Sequence, residues 1–291
     1  MRPRWGDRQF SLEFYPPNTP KGEAAFQRAV GRLQVLRPDH VSVTFGAGGS
    51  TREKTFSVVD WLKANTDFET LPHLSCLGTR DTSIDEILER YRDAGVSRLV
   101  ALRGDLPPEG HTVLEGSFRH ASDLVAHIKA FGGFQIYVAC YPEFHPEAPN
   151  PQEDMDHFAA KVRAGADFAI TQYFYDNEAY YRFVDDVRAL GVEIPIYVGL
   201  MPMVSFDQID RFSRVCDAGI PLWIRKRMEA YAHDPASQQA LGIDIATRQA
   251  ESLLEQGCPG IHFYTLNRSA PVLQIWENLG VVPEKEAASS S

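Results

Sequence analysis

The sequence predicts an α/β fold, a single (β/α)8 TIM barrel, and three observations support this prediction. Eight short runs rich in apolar and β-branched residues recur along the 291-residue chain, and longer segments of helical periodicity separate them. Alternating strands and helices imply parallel pairing with right-handed crossovers, and eight such units suggest a closed barrel. Such a barrel takes about 250 residues. We therefore expect one catalytic domain over residues 1–291, with a disordered polar tail at 283–291.

Each element is predicted from its own pattern. The strands are expected at residues 9–15, 39–44, 71–76, 97–102, 134–140, 167–173, 194–199 and 260–264. Helices are expected at 21–36, 52–65, 83–94, 119–131, 153–163, 177–190 and 206–216, and several of them are followed by a glycine suited to a helix C-terminus. Residues 221–257 depart from the repeat, which predicts at least one extra helix before the last strand.

Composition limits the classes of partner. The chain carries 29 Lys and Arg against 39 Asp and Glu, a formal net charge of -10, which argues against nucleic acid or an anionic membrane as partner. The N-terminus lacks the apolar core of a signal peptide and no segment is apolar enough to span a bilayer, so we expect a cytoplasmic protein. The four cysteines form no C-x-x-C pair, so no metal site is predicted. A homo-oligomer remains possible.

Glu13 is the most informative residue of the first strand. Alternation puts Phe10, Leu12 and Phe14 on one face of this strand and Ser11, Glu13 and Tyr15 on the other. If both faces are covered, an unpaired carboxylate costs several kcal/mol or stays neutral through a raised pKa. A neutral carboxylic acid in an enzyme is a proton donor, so the pattern suggests general acid catalysis.

Polar residues also follow the other strands. Since the carboxyl ends of parallel strands meet at one mouth of a barrel, we expect these side chains to form the site there. Any one of these residues is more often structural than functional. Their expected position together at one end of the barrel is what indicates a functional site. They are Glu13, Thr44, His73, Arg103, Asp105, Tyr141, Glu143, His145, Gln172, Tyr264, Asn267 and Arg268.

Two segments could bind phosphate groups. The loop at residues 46–50 is rich in glycine but does not match G-x-G-x-x-G, so it is either a phosphate cradle or a flexible turn. On the helix predicted at 153–163, Asp154, His157 and Lys161 fall on one face. That face could meet ribose and phosphate or could simply be solvated. Neither a metalloprotease H-E-x-x-H nor a G-x-S-x-G nucleophile motif occurs.

The R-G-D tripeptide at 103–105 directly follows a predicted buried strand. We interpret it as a turn in which Gly104 permits close approach of the backbone to a flat ligand. Asp105 is then a second carboxylate at the mouth beside Glu13. Two carboxylates in different environments can divide their roles, one neutral and donating a proton, the other ionised.

Seven stretches of the chain carry a resemblance to a known family. They are S-L-E-F-Y-P-P at 11–17, V-S-V-T-F-G-A at 41–47, P-H-L at 72–74, A-L-R-G-D-L-P-P at 101–108, Y-P-E-F-H-P-E-A at 141–148, I-T-Q-Y-F at 170–174 and H-F-Y-T-L-N-R at 262–268. Together they resemble the methylenetetrahydrofolate reductase family in its short bacterial form. The stretches run in family order from the first strand to the last, so the resemblance covers nearly the whole chain.

This resemblance implies a (β/α)8 barrel that binds FAD without a Rossmann domain. It implies a two-step reaction in which NADH or NADPH reduces the flavin, and 5,10-methylenetetrahydrofolate then replaces the nicotinamide and is reduced to 5-methyltetrahydrofolate. The implied partners are these small molecules.

The resemblance also implies residue roles. Glu13 matches the general acid, and Asp105 matches a carboxylate beside flavin and folate. Positions that contact nicotinamide or folate are matched by Thr44, Gln172, Gln208 and Arg268. Positions that line FAD are matched by Phe45, His73, Arg103, Gly104, Ala121, Tyr141, His145, Ala148, Asp154, His157 and Lys161, while His120 stands where a tyrosine is familiar.

The chain departs from the family pattern at His157 and Ala160, where asparagine and arginine are familiar, so a flavin phosphate contact is lost or supplied by a neighbour. Two other hypotheses therefore remain beside the reductase. One keeps the barrel with another flavin reaction, such as amine or imine oxidation, because a fold does not fix its substrate. The other is a non-catalytic folate-binding subunit.

Overall fold

A computed structural model describes residues 4–45, 49–77, 81–104, 118–216 and 218–281. Eight parallel strands follow one another in chain order around a closed barrel, which confirms the predicted fold class. Their bounds are β1 Gln9–Phe14, β2 His40–Val43, β3 Thr70–Ser75, β4 Arg98–Leu102, β5 Gln135–Cys140, β6 Phe168–Thr171, β7 Ile196–Leu200 and β8 Gly260–Tyr264. The predicted tail at 283–291 lies outside the described residues.

The helices surround the barrel. Their bounds are α1 Pro20–Leu33, α2 Gly49–Asn65, α3 Asp81–Asp93, α4 Ala121–Phe131, α5 Pro151–Arg163, α6 Asn177–Ala189, α7 Phe206–Cys216, α8 Leu222–Ala230, α9 Pro235–Glu255 and α10 Ser269–Asn278. The extra helices expected before the last strand are α8 and α9. A short 3-10 helix at Gln34–Leu36 ends the first helical segment, where Arg37 turns left-handed with φ 47°.

Helix α10 was not predicted from the sequence. Pro271 interrupts its helical pattern, but in the first turn proline is tolerated because its missing N–H has no partner within the helix there. Trp276 of this helix is fully buried and packs on Phe10, with ring centroids 5.3 Å apart, and on Phe263 at 5.5 Å. α10 therefore closes the apolar shell over β1 and β8.

The strand β1 has the predicted alternation. Phe10 and Phe14 point outward, Phe10 to Trp276 and Phe14 to Phe26 of α1 at a centroid distance of 5.6 Å. Ser11 and Glu13 point into the barrel. Deeper inside, an apolar cluster fills the space between the strands: Leu71, Val100, Tyr137, Ile170 and Tyr197. A layer of polar side chains therefore lies at the end of the barrel where β1 ends, above the apolar cluster that fills the barrel interior.

Cys76, Cys140 and Cys258 are buried free thiols, and Cys216 is half-buried. Within the described ranges no cluster of His, Cys, Asp and Glu has the arrangement of a metal site. None of the helices in the described part of the chain is long and apolar enough to cross a membrane.

Candidate active site

Glu13 lies in the polar layer with two histidines from other strands. Its Oε2 is 3.4 Å from Nε2 of His73 on β3 and 3.5 Å from Nε2 of His262 on β8, and the Glu13 side chain is 17% exposed. Ser42 of β2 donates its hydroxyl to the same carboxylate oxygen at 3.3 Å. Three strands, β2, β3 and β8, therefore supply the groups around the carboxylate that β1 carries.

Strand register explains why these residues meet. Glu13 is opposite Ser42 in the β1–β2 pair, and Ser11 is opposite His262 in the β8–β1 pair. Side chains on one face of a strand recur every second residue, so all of them point inward. Ser42 and His262 were missed as site residues, although their inward parity is readable once β1 is paired with its neighbours.

These neighbours decide the ionisation of Glu13. Burial alone would raise its pKa, but the imidazoles of His262 and His73 outweigh burial and lower the pKa to about 2. The sequence analysis predicted a neutral carboxylic acid at position 13 on the condition that the Glu13 side chain is buried without a partner. In the structure Glu13 is paired and carries its negative charge at neutral pH.

A hydrogen-bonded chain continues below Glu13. Ser42 Oγ lies 3.3 Å from His262 Nε2, and Ser11 Oγ lies 2.7 Å from His262 Nδ1. A serine hydroxyl can donate or accept, so Ser11 can support either the neutral or the protonated form of His262. His40 stacks against the His262 ring at 6.2 Å, and burial first, then His262 and Arg98, lower its pKa well below the usual value. His40 is therefore neutral.

A cavity of about 310 Å³ opens on the rim beyond β4 and β5. It brings together nine of the residues predicted to bind a cofactor, and it adds Ser122, Glu147 and Ala160. The predicted members are Arg103, His120, Ala121, Tyr141, His145, Ala148, Asp154, His157 and Lys161. The face of α5 that carries Asp154, His157 and Lys161 thus lines a cavity. Of the two interpretations of this face, a ligand-binding surface is therefore favoured over a merely solvated one.

Local contacts fix the groups that line this cavity. Helix α5 begins where the Asn150 side chain accepts the N–H of Glu153, at 3.0 Å. Asp154 then accepts the backbone N–H of His145 at 3.0 Å. Lys161 donates to the carbonyl of Ala139 at 2.6 Å, and burial lowers its pKa. The loop after β5 is therefore tied to α5 on one side of the cavity.

The β4 side of the cavity is anchored by Arg103. Its guanidinium pairs with Glu147 at 2.7 Å, a contact that the sequence did not reveal. Gly104 follows with φ 88°, and a Cβ at this position would collide with Ser75 Oγ. Burial first, and then Arg103, lower the pKa of His145, which lies edge-on to Tyr141 with ring centroids 4.6 Å apart.

The residues of the cavity fit an anionic dinucleotide such as FAD. Lys161 can contact a diphosphate, and Arg103 can do so in exchange for its ion pair with Glu147. Asp154 and the nearby histidines can hydrogen-bond to ribose, and Tyr141 offers an aromatic face. Gly104 is not among the residues that line this cavity, and the space beside its Cα is filled by Ser75, so the structure does not support the predicted approach of a flat ligand at this glycine. His157 and Ala160 both line the cavity, so the departures from the family pattern fall on the surface that would meet the cofactor.

The remaining predicted residues lie elsewhere on the rim. His73 stands by Glu13, and Phe45 packs against the apolar shell. Gln172 accepts the N–H of Tyr173, while Gln208 lies half-buried on α7. Thr44 accepts the hydroxyl of Thr55 with its carbonyl at 3.1 Å.

Arg268 lines a different cavity, between α1 and α10. Asp105 lies outside the described residues, and so do residues 46–48 of the glycine-rich loop.

Comparisons with known proteins identify the family of the chain. The family model for methylenetetrahydrofolate reductase matches residues 2–280. The 5,10-methylenetetrahydrofolate reductases of Pectobacterium carotovorum and Escherichia coli K12 are 38% and 37% identical to the chain, over 94% and 96% of it and 91% and 93% of their own lengths. An Arabidopsis thaliana protein named methylenetetrahydrofolate reductase (NADH) 1 is 36% identical over 98% of the chain and 50% of its own length.

Among solved structures, an uncharacterised Clostridium thermocellum protein described as binding two copies of 5-methyl-5,6,7,8-tetrahydrofolic acid superposes with a TM-score of 0.61. It is 16% identical to the chain, with 95% of both chains covered, so this likeness supports the fold alone. The match of the family model and the identity to the bacterial enzymes, over nearly the whole chain, are the stronger findings. The chain belongs to the methylenetetrahydrofolate reductase family, and it is an oxidoreductase.

Proposed function

We propose that this chain uses FAD and NADH or NADPH to reduce 5,10-methylenetetrahydrofolate to 5-methyltetrahydrofolate in two half-reactions at one site. The observation that carries the proposal is the ionised Glu13 held by His73 and His262 at a barrel mouth, beside a cavity lined by two cationic and two carboxylate side chains. Membership of the reductase family supports it. Among the described residues, no contact in the site favours a different imine substrate.

Arg103 and Lys161 would hold the diphosphate of FAD, and Asp154 with His157 would meet its ribose and adenine side. When bound, FAD would supply the chemistry of hydride transfer between the nicotinamide and the folate. Glu13 acts on the folate by protonating the nitrogen that leaves when the five-membered ring opens. Asp105, whose carboxylate the family resemblance assigns to the same ligands, would orient the folate.

Glu13 must gain a proton before it can donate one. Its pKa of about 2 means that the free protein holds a carboxylate at neutral pH. Among the described residues, His73 and His262 are the titratable side chains whose ring nitrogens face it, at 3.4 and 3.5 Å, so they are placed to pass it a proton. A bound folate that excludes water would raise the pKa of the carboxyl and favour transfer of a proton from an imidazole to Glu13.

An anaerobic stopped-flow experiment on the FAD-loaded protein tests the proposal. NADH or NADPH should bleach the flavin, and methylenetetrahydrofolate added to the reduced protein should restore its absorbance with formation of 5-methyltetrahydrofolate. A proline-like cyclic imine is the comparison substrate. Faster reoxidation by the imine than by the folate would reject the proposed substrate, and a protein that takes up no FAD would reject the cofactor.

A further inference from the structure

The interior of the barrel below Glu13 has two different sides. The apolar cluster that contains Leu71 and Val100 comes from β3 to β7. Where β8, β1 and β2 pair, the inward side chains are polar instead, and Ser11 stands opposite both His40 and His262 in the strand register. We call this side of the interior the polar seam, and it consists of Gln9, Ser11, His40, Ser42 and His262.

His40 has no polar partner in the seam. It is 1% exposed, and neither of its ring nitrogens has a hydrogen-bond partner among the described residues. Its ring centroid lies 6.2 Å from that of His262 and 5.3 Å from that of Tyr137 on β5. The hydroxyl of Tyr137 and Oε1 of Gln9 are also buried without a partner in the described chain. Several buried polar atoms in the lower part of the seam therefore need a partner that the described side chains do not supply.

Ordered water is the natural partner for such atoms. In native proteins almost every buried polar group is hydrogen-bonded to protein or to water, and a buried water typically makes about three hydrogen bonds to otherwise unsatisfied groups. The Ser11 hydroxyl can donate one bond and accept two, so its contact with His262 Nδ1 at 2.7 Å leaves capacity for a water between Ser11 and His40. A second water between His40 and Tyr137 would satisfy the other imidazole nitrogen and the hydroxyl.

The seam approaches solvent at the end of the barrel opposite the mouth. Arg98 begins β4 and shares the inward parity of Val100, and it pairs with Glu69 at 3.0 Å, with 24% and 39% of the two side chains exposed. Burial raises the pKa of Tyr137, and Arg98 is the charge that opposes this rise most strongly. After burial and His262, Arg98 also lowers the pKa of His40. The Arg98–Glu69 pair thus lies near both groups, where a proton from solvent can enter.

Reduction of the folate requires a proton as well as a hydride. The hydride ends on the carbon of the iminium, and the proton ends on the nitrogen that leaves this carbon, so Glu13 loses a proton and must regain it in every turnover. Glu13 is ionised in the free protein, so it gains this proton after the folate has bound. A ligand over the mouth excludes water from that side. A route from the opposite end of the barrel would remain open.

We propose that ordered water in the polar seam, together with His40 and Ser11, passes protons to Glu13 from the Arg98 end of the barrel while a ligand covers the mouth. This inference rests on the proposed role of Glu13 in folate reduction. Solvent delivers one proton at the Arg98–Glu69 pair, each water, hydroxyl and imidazole accepts one proton and releases another, and His262 releases one to Glu13. The relay therefore gains no net charge. A neutral imidazole suits this step because one of its nitrogens donates while the other accepts.

Isosteric variants of the full chain, with FAD or without it, test for the water and need no substrate. His40→Phe and Tyr137→Phe remove polar atoms and keep the ring. If water bridges these atoms, both variants should lower the urea midpoint of unfolding, and magnetic relaxation dispersion of the solvent should detect fewer long-lived internal waters. Tyr180→Phe is the matched control. It removes a buried hydroxyl that donates to the carbonyl of Ile196 at 2.9 Å outside the barrel, so it should lower the midpoint and keep the water count.

Anaerobic stopped-flow measurements in weak buffer with a pH indicator test the proton path. NADH should reduce the flavin of His40→Phe at the native rate. Reoxidation by methylenetetrahydrofolate and the accompanying proton uptake should both slow by about tenfold, a smaller loss than that of the acid itself. The solvent deuterium isotope effect on reoxidation should rise, because proton transfer then limits the rate, and the affinity for 5-methyltetrahydrofolate should not change. Tyr180→Phe should behave as the native chain does.

Native rates of reoxidation and proton uptake in His40→Phe overturn the inference, because the proton then reaches Glu13 through the mouth. An unchanged water count in both isosteric variants, with midpoints that stay the same or rise, also overturns it. If His40→Phe does not fold, Tyr137→Phe changes a single hydroxyl and gives the same readouts. Failure of methylenetetrahydrofolate to reoxidise the native flavin rejects the proposed function, whereas loss of internal water in His40→Phe still supports the water path.

Discussion

His262 Nε2 lies 3.5 Å from Oε2 of Glu13, at the seam where the last strand of the barrel closes on the first. On its other side, the His262 ring meets the hydroxyl of Ser11 at 2.7 Å. The general acid that the sequence suggested is therefore one end of a hydrogen-bonded chain. This arrangement explains how a buried carboxylate stays charged.

Replacing Glu13 with glutamine should separate the two half-reactions. We expect flavin reduction by NADH or NADPH to continue, because the nicotinamide needs no acid, while reoxidation by methylenetetrahydrofolate slows by about 10²–10⁴-fold. Anaerobic stopped-flow traces of both steps measure the effect. Folate reduction at nearly the native rate would remove Glu13 from the mechanism.

His262→Gln should make Glu13 easier to protonate. The glutamine keeps a hydrogen-bond donor but cannot carry the proton, and burial of Glu13 persists, so the pKa of Glu13 should rise from about 2. The carbonyl stretch of a protonated carboxyl, followed by infrared difference spectroscopy against pH, reports the change. Ser11→Ala should give a smaller shift in the same direction.

The exposed His233→Gln is the control for this pair of variants and should leave the titration of Glu13 unchanged. An unaltered titration in His262→Gln would mean that His73 and Ser42 suffice to hold the charge.

The stability that Glu13 contributes should depend on pH. Its folded pKa is depressed, so the contribution is full above the unfolded value near 4.5 and is lost as the pH falls towards 2. A shift of this size corresponds to about 3 kcal/mol. The difference in unfolding free energy between the native chain and Glu13→Gln, measured by urea at several pH values, should shrink towards acid pH. A difference that is constant with pH would contradict the lowered pKa.

Gly104→Ala should destabilise the protein more than Gly133→Ala does. Both glycines have positive φ, 88° and 85°, so each alanine incurs backbone strain of about 1–2 kcal/mol. Only at Gly104 does the new Cβ also collide with Ser75, which adds about 1–3 kcal/mol. Urea unfolding of the two variants isolates the steric cost. Equal losses would indicate that the turn at Gly104 relaxes freely.

Lys161→Met should weaken binding of FAD by about tenfold or more, because it removes a cation from the cavity while keeping the length of the side chain. Flavin fluorescence quenching gives the dissociation constant. Lys129→Met, on the neighbouring helix α4 and outside the cavity, is the matched control. If both variants bind FAD as the native chain does, Lys161 does not hold the cofactor.

Much of the fold was readable because it depends on local signals. The period of apolar residues located all eight strands, and alternation in β1 correctly divided Phe10, Leu12 and Phe14 from Ser11 and Glu13. Helix ends were less accurate: α5 begins at Pro151 rather than residue 153 because Asn150 caps it. Helix α10 was missed because Pro271 hides its pattern.

The residues of the candidate site also fall into two groups, those that local sequence patterns predict and those that only the tertiary structure brings together. Local stretches such as residues 141–148 and the face of α5 carried the predicted cofactor residues, and tertiary structure brings most of them into one cavity. The ion pair of Arg103 with Glu147 joins two loops, so neither loop reveals it alone.

The sequence by itself determined that a carboxylate points into the barrel from β1, since alternation along a strand is a local property. Only the tertiary structure decided that this carboxylate is ionised. Closure of the barrel brings Ser11 and His262 together across 251 residues of chain, and with them the imidazole that lowers the pKa of Glu13. The pKa of Glu13 depends on its distance in space from charged and polar groups on other strands, and the residue pattern within β1 carries no information about that distance.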